Sequence, residues 1–167
     1  MTATSHPPAP VSPDTGSGAQ ISSAPLPTMA SALGEIVWLF SNSIAHRHLF
    51  IADLEWMVMP PLLLGQFRLF RANDRPAGLA LWAHLSDEVE ARLQSGIGKL
   101  KPEEWKSGPH LWLVELIAPL GGAEEMLADL QANIFGDASF KLHRTGPDGV
   151  RRVEVMGGLA PDGGWAR

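Results

Sequence analysis

HLWLVELIA, residues His110 to Ala118, is the strongest strand signal in the chain. It is nearly all apolar and holds one acid, Glu115. A buried carboxylate is costly unless it is paired or neutral. Glu115 therefore either faces outward from the sheet or is placed for a task. The strand ends at the turn Pro119-Leu120-Gly121-Gly122. Ala123 to Phe135 follows at helical spacing, with Leu127, Leu130 and Ile134 predicted inward.

Upstream of this strand the period is that of a hairpin. Gln66 to Arg71 alternates in part, and Ala77 to Leu85 is small and apolar. Asn73-Asp74-Arg75-Pro76 between them is a turn by composition. Ser86 is placed to cap a helix whose first turn holds Asp87 and Glu88, with Val89 and Leu93 on its apolar face. Gly96 and Gly98 end that helix, and Lys99 to Pro109 reads as a polar loop. Nearer the start, Leu33, Ile36, Val37 and Phe40 mark a helix over Ala30 to Ser41, with Ser31 as a possible cap. A second helical stretch runs from Leu49 to Met59 and is stopped by Pro60-Pro61. Ser139 to Arg144 and Val150 to Met156 form a closing hairpin. The order α-α-β-β-α-β-α-β-β implies an α+β (mixed α/β) fold with a single central sheet flanked by helices. By analogy it is acetyltransferase-like, with a splayed sheet that holds an acyl donor.

Composition narrows the rest. Residues 1 to 30, rich in Pro, Ser, Ala and Thr, are predicted to be a disordered tail, because they carry too little apolar surface to offset the entropy of ordering. They have neither the basic start nor the apolar run of a signal peptide. Residues 31–158 then form one folded domain, and 159–167, rich in glycine, a flexible tail. In 167 residues the net charge is −5, which argues against nucleic acid or an anionic membrane surface as partner. No cysteine is present, so no thiolate nucleophile or disulfide is available, and a reducing cytoplasm suits the chain. No window reaches the length of a membrane span. Trp56 to Leu64 is apolar but short and broken by two prolines, which suits a buried helix end; what it exposes offers a symmetric interface.

The densest chemistry lies in SNSIAHRHLF, Ser41 to Phe50. Histidine is the side chain that exchanges a proton near neutrality, with an ordinary pKa of about 6.5. His46 and His48 are two apart with no third ligand at a useful spacing, so no metal is expected. Gly96-Ile97-Gly98-Lys99 lacks the first glycine and the final Ser or Thr of a phosphate loop. It also lacks the leading Gln or Arg of a coenzyme A loop, which has Leu93 in that place. No G-x-S-x-G elbow is present. Trp38, Trp56, Trp82, Trp105 and Trp112 read as packing residues.

Several blocks then share one order. Gly34-Glu-Ile-Val-Trp38-Leu39 opens the chain's folded part, and Ser43-x-x-His46-Arg47 follows. Next come Pro60, then Trp82-Ala-His-Leu-Ser86, then Glu104-Trp105-Lys-Ser107-Gly108. Trp112-Leu-Val-Glu115-Leu-Ile117-Ala118-Pro119-Leu-Gly121 and Gly157-Gly158 complete the set. The pattern resembles the toxin-activating lysine acyltransferases, which attach fatty acyl groups to protoxins of the RTX (glycine-rich repeat) class. It covers about residues 30 to 158. The resemblance implies an acetyltransferase-like fold, often as a homodimer. It implies no permanently bound cofactor, an acyl donor carried on acyl carrier protein, and internal lysines of an RTX protoxin as acceptors. It maps the family's essential histidine onto His46. The family's acid maps onto Glu115, where the family has aspartate.

The expected reaction is acyl transfer from a carrier-bound thioester to a lysine ε-amine. His46 would serve as base or transient nucleophile, Glu115 would orient it, and Ser43 would bond the imidazole, bond the thioester oxygen, or cap the helix. Two other readings remain: a non-catalytic binding module on the same fold, and an N-acyltransferase that uses coenzyme A. The paired mechanism requires His46 and Glu115, 69 positions apart, to meet at one cleft. An apolar branch lined by the Ala77–Leu85 and Leu111–Ala118 strands would take the acyl chain.

Overall fold

A computed structural model describes residues 28–96 and 98–158. The two predicted tails therefore lie outside the described residues, apart from Thr28 to Ala30. Thr28, rather than Ser31, caps the first helix; its hydroxyl accepts from the Ser31 N–H, and α1 spans Met29–Asn42. Ala32, Ile36, Leu39 and Phe40 form its buried stripe, whereas Val37 and Trp38 are each 44% exposed.

The expected second helix is broken into pieces. A 3₁₀ turn, Ile51–Asp53, leads into α2, Leu54–Met57, and then α3, Met59–Leu64. Pro60 and Pro61 open α3 instead of stopping a helix. In a first turn the N–H that proline lacks would have no partner in any case, and its fixed φ is already helical. Most of Trp56 to Leu64 is inside the core, with Met57, Val58, Pro60, Pro61 and Leu62 buried. Only Leu63 and Leu64 are markedly exposed there, so the apolar surface expected of this run is much smaller than its sequence suggests.

Strands β1 (Phe67–Ala72) and β2 (Arg75–Leu85) form the expected hairpin, closed by Asn73 and Asp74 alone. Both have positive φ, 50° and 60°, the backbone that matches a tight hairpin to the twist of its strands. Arg75 and Pro76 belong to β2, not to the turn. Helix α4 (Asp87–Gln94) is capped by Ser86 as predicted. The polar loop after it hides a 3₁₀ turn, Pro102–Trp105, whose Trp105 is fully buried, as is Leu100. The Trp105 indole donates to the Trp56 carbonyl, and the buried Gln66 amide donates to the carbonyls of Trp82 and Trp105. These bonds stitch the loop to β2 and to α2.

Strand β3 (His110–Ile117) is followed by α5 (Ala123–Leu130), a π-type turn Gln131–Phe135, β4 (Phe140–Thr145) and β5 (Arg151–Met156). Leu127 and Leu130 point inward as predicted; Ile134 is 39% exposed because the π turn rotates it off that face. The five strands form one sheet in sequence order. All neighbours are antiparallel except β3 and β4, which are parallel. One face packs on α1 to α4 through Ile36, Leu39, Val58, Val89 and Trp112. The other packs on α5 through Trp82, Leu113, Leu127, Phe140 and Leu142. This single mixed sheet between helical layers is the α+β architecture the sequence implies, consistent with an acetyltransferase-like fold.

Candidate active site

Two features of β3 place the site. The first is its pairing with β4, which covers only Trp112–Lys141 and Leu113–Leu142. Beyond Leu113 and Leu142 the parallel strands separate, and a cleft of about 640 Å³ opens there. Its walls are Val114, Glu115 and Leu116 of β3 and Leu142, His143 and Arg144 of β4. His46, Leu49, Trp56 and Met57 line it from the α1 to α3 side, and Leu127 from the α5 side. The cleft therefore reaches both layers through the gap in the sheet. The apolar wall expected from Ala77–Leu85 is absent: β2 lies on the paired side of β3, and β4 supplies the second wall in its place.

The second feature is a bulge. Leu81 pairs with Glu115 and Trp82 with Leu113, so Val114 is an extra residue in β3. Strict alternation from Trp112 would send Glu115 to the α5 face with Leu113. The bulge shifts the phase by one and turns Glu115 to the α1 face, opposite Leu81.

His46 meets it from the α1 side. Helix α1 ends as the Ser43 N–H bonds the Phe40 carbonyl at 3.1 Å. The N–H groups of His46 and Arg47 then bond back to the Ser43 carbonyl, at 3.1 and 2.9 Å. This tight turn brings the Ser43 and His46 side chains together. The His46 ring packs at 5.3 Å from the buried Phe40 ring. Nδ1 lies 2.8 Å from the Ser43 hydroxyl, and Nε2 lies 3.3 Å from Glu115 Oε2. The His46 side chain is 14% exposed and that of Glu115 30%.

An ionised carboxylate only accepts, so Nε2 carries the ring proton and donates to Glu115. Nδ1 then holds the lone pair and accepts from the Ser43 hydroxyl. All three predicted residues thus form one hydrogen-bonded chain, with the serine and the acid on opposite ring nitrogens. The longer glutamate spans the gap at the long end of hydrogen-bond range. Arg47 and His48 are exposed and outside this chain.

The prediction from sequence missed the β4 wall. His143 sits on β4 one residue past the last β3–β4 pair, and its Nε2 donates to the Leu93 carbonyl at 3.0 Å. Burial, aided by the Arg151 cation, holds its pKa below the ordinary histidine value. Arg144 bonds Glu124 and Glu154 across the cleft's far side. The signal was the alternation of FKLHRT, which puts Lys141 and His143 on one face of β4.

A sheet parted between parallel strands, with an imidazole–carboxylate pair in the opening and apolar walls beside it, has the layout of an acyl-transferring enzyme. The RTX toxin acyltransferase family (HlyC) matches residues 27–157 of the chain. Leukotoxin-activating lysine-acyltransferase LktC from a Pasteurella haemolytica-like species is 36% identical over 98 residues, which is 59% of this chain and 59% of that protein. Lysine-acyltransferase RtxC of Vibrio cholerae is 30% identical over 104 residues, 62% of this chain and 68% of its own. A Synechocystis protein, sll0720, is 33% identical over 125 residues, 74% of this chain and 85% of its own. The chain belongs to the RTX toxin acyltransferase family, and by class it is an acyltransferase.

Proposed function

We propose that the chain transfers a fatty acyl group from acyl carrier protein to internal lysine ε-amines of an RTX protoxin, and so activates it. The observation that carries this reading is the Ser43–His46–Glu115 chain opening onto an apolar cleft. A lysine amine has an ordinary pKa of about 10.4 and must lose a proton to attack. The Nδ1 lone pair of His46 is the acceptor, reached through the Ser43 hydroxyl or in its place. The amine nitrogen then bonds the thioester carbonyl carbon and the C–S bond breaks; the imidazolium returns its proton to the leaving thiolate, and the second proton that the nitrogen sheds in becoming an amide passes to water. Glu115, bonded to Nε2, stabilises the imidazolium between these steps. The walls Leu49, Trp56, Met57, Val114 and Leu127 suit a hydrocarbon chain.

The same reading makes His46, Glu115 and Ser43 the site residues and residues 31–158 the acyltransferase domain. It places the reaction in the cytoplasm, where carrier-bound acyl chains are made. A homodimer follows from the family resemblance; a mass of one chain by light scattering at micromolar concentration would count against it. Among the described residues no helix is long and apolar enough to cross a membrane. The deciding experiment incubates the full chain with acyl carrier protein loaded with a fatty acyl group and a lysine-containing protoxin fragment, read by intact mass. One acyl mass added per modified lysine is expected. A folded wild-type chain that adds none would leave the binding-module reading; transfer from acyl-coenzyme A alone would leave the coenzyme A reading.

A further inference from the structure

The chain has four lysines, at 99, 101, 106 and 141, and their ammonium groups meet different surroundings. Lys141 is tied to the buried Glu90 carboxylate at 2.8 Å. Lys101 and Lys106 are exposed. Lys99 is exposed too, but its Nζ rests over the Trp56 indole, 4.7 Å from the ring centre. Trp56 lines the same cleft as His46 and Glu115. Lys99 is therefore the one lysine among the described residues whose ammonium lies on a ring of the cleft wall.

Its place there is fixed by its neighbours. Leu100, next in the chain, is 1% exposed, and the Trp105 indole beyond it donates to the Trp56 carbonyl at 3.1 Å. Both anchor the loop that bears Lys99 against α2. The Trp56 ring is held in turn, because its N–H donates to Asp53 at 3.0 Å. The Lys99 side chain is not fixed in the same way. A cation over an exposed aromatic face is held weakly, so the stem leaves the ring readily while its backbone stays beside the cleft.

We propose that Lys99 is an internal acceptor, so that the chain acylates its own Lys99 ε-amine when no protoxin is bound. The proposal rests on the acyl-transfer reading and adds a modification site to it. Once off the ring, the ammonium gives one proton to His46 Nδ1. The neutral nitrogen bonds the thioester carbonyl carbon, the C–S bond breaks, and the imidazolium returns its proton to the leaving thiolate. The second proton that the nitrogen sheds passes to water, and an acyl amide remains on Lys99. A group on a short tether acts at an effective concentration of about millimolar order, which favours Lys99 wherever the protein acceptor is scarce.

The test incubates the full chain with acyl carrier protein loaded with a fatty acyl group and leaves out the protoxin fragment. Intact mass should rise by one acyl group, and peptide mapping should place it on Lys99 at least about tenfold faster than on Lys101 or Lys106. The added mass should survive hydroxylamine, which would release an ester or an acyl-imidazole. Its rate constant should not change when the enzyme is diluted at fixed donor. Lys99→Arg, which keeps the charge over the ring, should abolish the modification and acylate the protoxin fragment at the wild-type rate. His46→Ala should lose both reactions. Acyl mass spread evenly over the three exposed lysines would overturn the proposal, as would equal modification of Lys99 in His46→Ala. Acylation of the fragment by a chain whose own Lys99 stays unmodified would overturn it alone. Acylation of neither would overturn it together with the acyl-transfer reading.

Discussion

Strand β3 carries a histidine–carboxylate pair near each end, and the two are built in opposite ways. At its start, Glu90 of α4 is buried and accepts from the Trp112 indole at 2.6 Å and from Lys141 at 2.8 Å, with His110 Nδ1 3.5 Å away. His110 also reaches Asp87. Burial works to raise the Glu90 pKa, yet the Lys141 and Trp112 bonds outweigh it and hold the group below the usual glutamate value. Both Glu90 oxygens have partners, and β4 is still paired to β3. At the other end, Glu115 has His46 as its one side-chain partner among the described residues, at a longer distance, and β4 has moved away. The closed pair locks two strands to a helix. The open one leaves a lone pair and a cleft beside it. A perturbed carboxylate is often taken as the mark of a functional site; here Glu90 is perturbed by the bonds that lock it into the packing, whereas Glu115, with its single partner, lines the cleft.

The contrast can be broken at either end. His46→Ala should lower acyl transfer by at least ~100-fold, the usual contribution of a positioned base, with the circular dichroism spectrum kept. Substantial transfer by that variant would end the base assignment. Glu90→Ala should act the other way. Urea titration should show a loss of about 2–3 kcal/mol, because Trp112 and Lys141 lose their shared acceptor. Transfer per folded molecule should be largely retained. Glu115→Asp restores the residue the family pattern has at this place, but it removes a methylene from a contact already 3.3 Å long. A loss of about tenfold in kcat is expected, in line with the sensitivity of such sites to displacements near 1 Å. Unchanged or higher activity would show that the strand shifts to follow the shorter acid.

The smallest effect is in acid. A carboxyl whose folded pKa is lowered adds stability that is complete above its unfolded value and is lost as pH falls through the folded one. Glu90 behaves this way, as does Glu104, which is held low first by its Arg92 bond. Melting temperature should therefore decline as pH drops below about 4.5, the ordinary glutamate value. The decline should be shallower in Glu90→Gln. Equal slopes in both proteins would move the acid-sensitive group elsewhere.

Much of this comparison is legible in the amino-acid sequence. The hairpin, the Ser86 cap, the order of elements and the meeting of His46 with Glu115 follow from periodicity and from ordered family blocks. What escaped was set by non-local geometry. Nothing in HLWLVELIA marks Val114 as an extra residue, because the bulge exists only relative to β2. The apolar wall was assigned to β2 because periodicity shows that a strand is buried, not which neighbour leaves it. The prolines after Met59 misled because a residue that ends one helix is also suited to start another. The 3₁₀ turn Pro102–Trp105 escaped because four residues make no period, although Trp105 itself reads as a packing residue and is buried.

The two-pair ladder between β3 and β4 also bears on how the molecule comes apart. The β4–β5 hairpin has six register pairs of its own but only two to the rest of the sheet. Side-chain packing through Phe140, Leu142 and the Lys141–Glu90 bond supplies most of the remaining attachment. Such a unit can detach and reclose without global unfolding, so its amides should exchange with solvent together and earlier than those of β2. A chain laid in the gap would bridge the two halves of the sheet. Substrate would then act as a staple, slowing exchange in β4 and β5 far more than in the hairpin of β1 and β2.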